Sequence, residues 1–156
     1  MANIHDNIRL ADIKTIKLEI ENNPKCINQK DERGFPPIVL ATYGQHIEIT
    51  KLLIEAGANI DQKDSAGNTA LMGVTYKGNV EIAKILIDSG SDVNATNFNK
   101  ATPLIYAATF SQIKIAKLLI ENGASPENKD ARGNTAFDHA KMKVDREMED
   151  LLRLDD

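Results

Sequence analysis

Three histidines and a single cysteine are the side chains of this 156-residue sequence best suited to chemistry at neutral pH. His5, His46 and His139 would serve as metal ligands or as acid–base groups if the fold brought them together. Cys26 would be a nucleophile if a base stood beside it. Their placement argues against both. One histidine lies near the start, one in the first third and one near the end, and no two share a helical face. Asp138 and His139 are adjacent, which on a helix turns their side chains about 100° apart, so they do not form an orienting pair. Surface positions are expected for the histidines, and the role of a small apolar filler near a loop for Cys26. The sequence contains no phosphate-binding glycine loop, dinucleotide fingerprint, zinc-ligand spacing or nucleophile elbow. It predicts no enzyme: no catalytic residue, no metal and no cofactor.

The elements that carry these residues recur. Residues 64–96, DSAGNTALMGVTYKGNVEIAKILIDSGSDVNAT, return in altered form from 31, from 97 and, in part, from 130, always 33 residues apart and without a gap. A fixed period of this length marks stacked-repeat proteins. In three of the four copies a polar triplet leads to a turn glycine (Gly34, Gly67, Gly133) suited to positive φ. Thr69, Thr102 and Thr135 follow as helix N-caps, with Pro103 at a first helical position. A short first helix carries small residues at Ala41, Val74, Ala107 and Ala140. A second helix carries Ile47, Ile49, Leu52 and Leu53, then Val80, Ile82, Ile85 and Leu86, then Ile113, Ile115, Leu118 and Leu119, one apolar face at helical period. Gly57, Gly90 and Gly123 end these helices in a left-handed cap.

This order of signals resembles the ankyrin repeat family. The resemblance covers 31–63, 64–96 and 97–129 as three full units, with 1–30 as an N-terminal and 130–156 as a C-terminal capping unit of a single domain. It implies an all-α solenoid of stacked helix-turn-helix units with short hairpin-like turns, capped at both ends. The sequence departs from the family at several places. Pro36 replaces the capping threonine of the first full unit, and Val39, Met72, Ile105 and Asp138 stand where the family has histidine. In the third unit Lys100 replaces the turn glycine, Ser111 the glycine between helices, and Pro126 interrupts the exit.

At the ends, Ile4, Ile8 and Ala11 form one expected stripe, and Ile13, Ile16 and Ile20 a second that stops at Asn22-Asn23-Pro24. Val144, Met148, Leu151 and Leu152 are expected to continue the buried face to the C-terminus. Residues 145–156 hold six acids against two bases and so contain the whole net charge of −4. They read as a solubilising cap with a frayed tail, or alternatively as an acidic lure for a basic partner. The rest is balanced, and Lys51, Lys84 and Lys117 alternate with Glu48, Glu55, Glu81 and Asp88 as a solvated face, not the basic stripe that nucleic acid requires. No apolar run approaches the ~18 residues of a membrane span. The start lacks the layout of a secretory signal, and one cysteine suits a reducing compartment. A monomeric cytoplasmic protein without nucleic-acid or membrane partners is expected, a reading compatible with delivery into a host cell.

What the family resemblance implies about function is a partner protein bound on the concave side, by turn tips and first helices. Seven aromatic residues occur in the chain. Phe35, Tyr43, Tyr76, Phe98 and Phe110 fall on the corresponding variable positions, as do Arg33, Lys77 and Arg132, whereas Tyr106 and Phe137 are expected to pack. Aromatic residues and arginine dominate interface hot spots. The bland alternative is that such rings lie over neighbouring units and shield the stack. Rival functional readings are an accessory or regulatory subunit of an enzyme, its groove holding a small ligand, and an architectural or self-associating repeat protein.

Overall fold

The structure, a computed structural model, describes residues 3–153. Among them lie ten α-helices, one 3₁₀ turn and no strand. The helices are α1 (Ile4–Arg9), α2 (Ile13–Asn22), α3 (Pro37–Tyr43), α4 (Ile47–Glu55), α5 (Ala70–Lys77), α6 (Val80–Asp88), α7 (Pro103–Thr109), α8 (Ile113–Glu121), α9 (Ala136–Lys143) and α10 (Arg146–Leu152). The 3₁₀ turn, Pro24–Asn28, follows α2. Each odd-numbered helix packs against the even-numbered helix that follows it. The odd helices also pack side by side from α1 to α9, and the even ones from α4 to α10. The architecture is the expected all-α solenoid of helix pairs.

Local chemistry explains where the helices begin. The hydroxyls of Thr69, Thr102 and Thr135 accept the backbone N–H of Met72, Ile105 and Asp138. Asp138 returns the favour by accepting the N–H of Thr135, which closes a capping box. α3 has no side-chain cap, as the missing threonine predicted; Pro37 at its first position removes one of the donors that would need one. Val39, Met72 and Ile105 are buried apolar residues where the family's histidine would stand.

The core is aliphatic. Ala41, Val74, Ala107 and Ala140 are fully buried, so adjacent first helices approach closely. On the second helices two of the four expected apolar positions bury completely, at Ile49 and Leu53, Ile82 and Leu86, Ile115 and Leu119. The other two lie at the margin, and Val80 is exposed, because the buried face runs instead through the neighbouring residues Thr50, Ala83 and Ala116. Ile4, Ile8 and Ile16 are buried as expected, but Ala11 is not: it sits in the loop after α1 with φ 56° and faces solvent. Met148 and Leu152 close the stack. The expected burial of Val144 is wrong. The residue is 70% exposed, because it forms the left-handed end of α9 instead of lying on a helix. The acidic residues Asp155 and Asp156, part of the supposed frayed tail, lie outside the described residues.

That left-handed position recurs with the repeat: Gln45 (φ 61°), Gly78 (75°), Ser111 (54°) and Val144 (55°) all occupy it. Only glycine does so without strain, and a β-branched residue is the least suited. Lys100 likewise takes φ 58° where Gly67 has 80°. Val144→Gly and Ser111→Gly are each expected to raise stability by about 1 kcal/mol, or a few degrees in Tm. Thermal and denaturant unfolding of the single variants measures this.

Between units, a side-chain acceptor in each exit loop takes a backbone N–H from the next loop. Asn28 Oδ1 accepts from Asn59 at 2.9 Å, and Asn94 Oδ1 from Ser125 at 2.8 Å. At the equivalent place Asp61 accepts from Asp92 at 3.1 Å. Burial, with the nearby charge of Asp92, pushes the Asp61 carboxyl above its ordinary value of 3.8 despite that hydrogen bond. A carboxyl raised in the folded state leaves its stability in place below the unfolded value and loses it as pH rises through the folded one. Asp61→Asn keeps the acceptor found at Asn28 and Asn94 and removes the charge. The expected result at pH 7 is a gain below about 1 kcal/mol, since solvent screens the site. The gain should vanish as the pH falls below 4, which urea midpoints at several pH values would show.

Candidate functional site

The first helices α3, α5 and α7 end on the same side of the molecule, with Tyr43 and Tyr76 in the last turns of α3 and α5 and Phe110 just past the end of α7. Tyr43 and Tyr76 occupy the same position of successive repeats, so stacking of the units brings them face to face. Their rings are 6.4 Å apart and 5° from parallel. Phe110 meets Tyr76 edge-on at 4.8 Å, and Tyr106 lies 5.9 Å from Phe110. These separations lie in the range in which aromatic pairs attract. The rings support each other across units and still present surface to solvent: Tyr43 is 46%, Tyr76 48% and Phe110 37% exposed. Lys77 reaches from α5 over the Tyr43 ring, its ammonium 4.4 Å from the centroid.

Beside this ladder runs a groove of about 580 Å³. Phe35, Leu40, Tyr43, Tyr76, Tyr106 and Phe110 make its apolar lining, with Arg9, Arg33, Asp64 and Asn68 contributing polar groups. Five of the eight residues expected from sequence are therefore gathered here: Arg33, Phe35, Tyr43, Tyr76 and Phe110. Lys77 joins them through Tyr43. Phe98 and Arg132 do not line the groove. Phe98 stands on a turn tip, 72% exposed, its N–H donating to Ala66 across the units at 3.1 Å. Its ring lies against Gly67, where a Cβ would come within 2.8 Å of it. Arg132 is exposed on the last turn.

Other groove residues were not anticipated. Tyr106, expected only to pack, is half-buried against the core but also donates its hydroxyl to Asn68 Oδ1 at 2.9 Å and accepts from Asn97 Nδ2 at 3.2 Å. Burial chiefly, with the charge of Asp64 assisting, pushes this phenol above its usual range in spite of those bonds. Arg9, on the last turn of α1, reaches forward to pair with Asp31. For Tyr106 the alignment of repeats carries a signal: at the first and tenth places of a unit, Asn97 faces Tyr106 as Asp130 faces His139; Arg9 has no such signal.

The three histidines have separate surroundings. His5 is buried, 6% exposed, with Nε2 2.6 Å from the Gln29 carbonyl, so the expected surface position is wrong for it. His139 is half-buried, its Nε2 2.7 Å from Asp130 Oδ2. Burial pushes the Asp130 carboxyl up, but His139 and the N–H groups of Asn134 and Arg132 outweigh it and hold it below its ordinary value. His46 is partly buried at the start of α4. Cys26 is a buried free thiol raised by burial first and by the Glu19 charge second. His5 and Cys26 line one recess, but no hydrogen bond joins them. Among the described residues, no three His, Cys, Asp or Glu side chains are grouped to hold a metal ion, and no helix is long and apolar enough to cross a membrane.

Among curated proteins the chain is similar to the acyl-CoA-binding domain-containing protein 6 homolog of Dictyostelium discoideum, 42% identical over 53 residues. That stretch is 34% of this chain and 18% of the relative, so the chain matches less than a fifth of the relative's length. The family model described as ankyrin repeats (3 copies) matches residues 5–97 and 65–130. Proteins of this kind are generally protein–protein interaction modules and typically non-catalytic. The matched span takes in both the stacked helix pairs and the groove, and the chain belongs to the ankyrin repeat family.

Proposed function

We propose that this chain is a non-catalytic protein-interaction module, a single monomeric domain over 1–156 acting in the cytoplasm. Its partner is another protein, engaged on the concave side by turn tips and first helices. Arg33, Phe35, Tyr43, Tyr76, Lys77, Phe98, Phe110 and Arg132 are the contact residues. The observation that carries the reading is the ladder Tyr43–Tyr76–Phe110, which runs over three units beside the groove and stays half exposed. A contiguous exposed aromatic patch of this kind marks a binding surface. Its rings are the residue types that supply most interface energy while losing little conformational freedom. The shielding role is fulfilled at the same time, since each ring touches the next. Acyl-CoA binding stands in the name of the Dictyostelium relative and is no part of this reading.

Affinity capture from a lysate of the native organism tests it. The wild-type chain is compared with Tyr43→Ala/Tyr76→Ala/Phe98→Ala/Phe110→Ala and with Lys51→Ala/Lys84→Ala/Lys117→Ala on the second helices. The aromatic variant is expected to lose a specific partner by at least about tenfold, while the lysine variant retains it. If both variants, with circular dichroism unchanged, retain the partner as the wild type does, the ladder is not the binding surface.

A further inference from the structure

The groove contains one acid that the fold leaves unanswered. Each unit opens on an acid or amide, Asp31, Asp64, Asn97 or Asp130, whose Oδ1 accepts the backbone N–H groups two and four residues on. The second terminal atom is engaged in three of the four. Asp31 Oδ2 pairs with Arg9. Asn97 Nδ2 donates to Asn68 Oδ1 at 2.9 Å and to the Tyr106 hydroxyl at 3.2 Å. Asp130 Oδ2 holds His139 at 2.7 Å. Among the described residues, Asp64 Oδ2 meets no donor.

The reason lies at the tenth place of the unit, occupied by Leu40, Gly73, Tyr106 and His139 at intervals of 33. Tyr106 and His139 reach back to the residue that opens their own unit, and Gly73 has no side chain with which to do so. Backbone geometry does not call for a glycine here. Gly73 lies inside α5, outside the positive-φ positions, and a Cβ would meet only Tyr43 Cδ2, at an ordinary 3.5 Å. A glycine inside a helix weakens it, and its effect here is a notch that opens Asp64 to the groove.

Asp64 shares that groove with Tyr43, Tyr76, Tyr106 and Phe110. A carboxylate oxygen among aromatic rings receives a cation through a charge-assisted hydrogen bond and through the ring faces. Lys77 already places an ammonium on one of these rings. Of the positive groups lining the groove, Arg9 is paired with Asp31 and Asp6, whereas Arg33 has no carboxylate within 4.0 Å among the described residues. Asp64 therefore offers a seat for a basic group in the aromatic groove, and Arg33 one for an acidic neighbour on the same incoming segment.

We infer that Asp64 and the notch at Gly73 form a subsite for a lysine or arginine side chain of the partner protein, carried on a segment lying in the groove. The inference rests on the concave-surface reading above. The test is an NMR titration of the full chain with N-acetyl-lysine methylamide, and with its norleucine counterpart as the neutral probe. Concentrations reach about 50 mM, the range suited to a single side chain. The lysine probe is expected to shift Tyr43, Tyr76 and Tyr106 resonances saturably, and the norleucine probe at least about fivefold more weakly. Asp64→Asn, which keeps the turn acceptor as Asn97 does, should lose that preference. Gly73→His, which seats an imidazole on Asp64 as His139 sits on Asp130, should lose it too, whereas Arg33→Ala should bind the lysine probe at least as tightly. No saturable shift in the wild type, or equal binding of both probes, or undiminished binding by Asp64→Asn overturns the subsite. If capture of the partner nevertheless depends on the aromatic ladder, the groove reading survives and only the cation subsite falls.

Discussion

Close packing of the first helices through Ala41, Val74, Ala107 and Ala140 sets the spacing of everything else in this molecule. Residues this small let α3, α5, α7 and α9 lie close side by side, so the 33-residue period in sequence becomes a regular repeat in space. A stack of this kind is close to one-dimensional, since each unit touches only its neighbours. That geometry explains why His5, His46 and His139 each find local surroundings and never meet. It also explains why a residue type repeated at one place of the unit stacks on itself, as Tyr43 and Tyr76 do, and why Phe110, one place further on in the next unit, can extend the row.

The same regularity ties the polar groups together. The acid or amide opening each unit holds its own turn with one atom and, except at Asp64, engages another side chain with the other, and the exit loops are joined by Asn28, Asp61 and Asn94. Turn tips are linked further where Phe98 donates to Ala66 and Ala131 to Asn99. Such bonds satisfy backbone groups that loops would otherwise leave to water, and they hold the tips rigid enough to act as one surface. Rigid presentation lowers the ordering cost of association.

Departures from the repeat divide into two kinds. Gln45, Lys100, Ser111 and Val144 take left-handed backbone without glycine, so they carry strain that the stack tolerates. Gly73 is the reverse: a flexible residue where the backbone needs none. The strained positions belong to turns, and Val144 and Lys100 face solvent. Gly73 instead opens a space among aromatic rings, which is why it bears on recognition while the others bear on stability.

How much was legible without the structure follows from which signals are local. The period, the threonine caps, the turn glycines and the small residues were readable in the sequence because each acts within one unit. They determined the helix pairs and the family. The exposed aromatic positions were legible by alignment of one unit on the next. The two ends were less so. By sequence Ala11 and Val144 read as helical stripe residues, yet both sit in left-handed turns, because apolar character alone does not reveal where a short helix stops. What the tertiary structure alone decided is which side chains meet across units. Tyr43 stacks on Tyr76, Arg9 answers Asp31, Tyr106 answers Asn68 and Asn97, and Asp64 is answered by nothing among the described residues. Those pairings depend on the offset between neighbouring units and on rotamers chosen in a crowded groove, and neither is encoded in the type or spacing of any single residue.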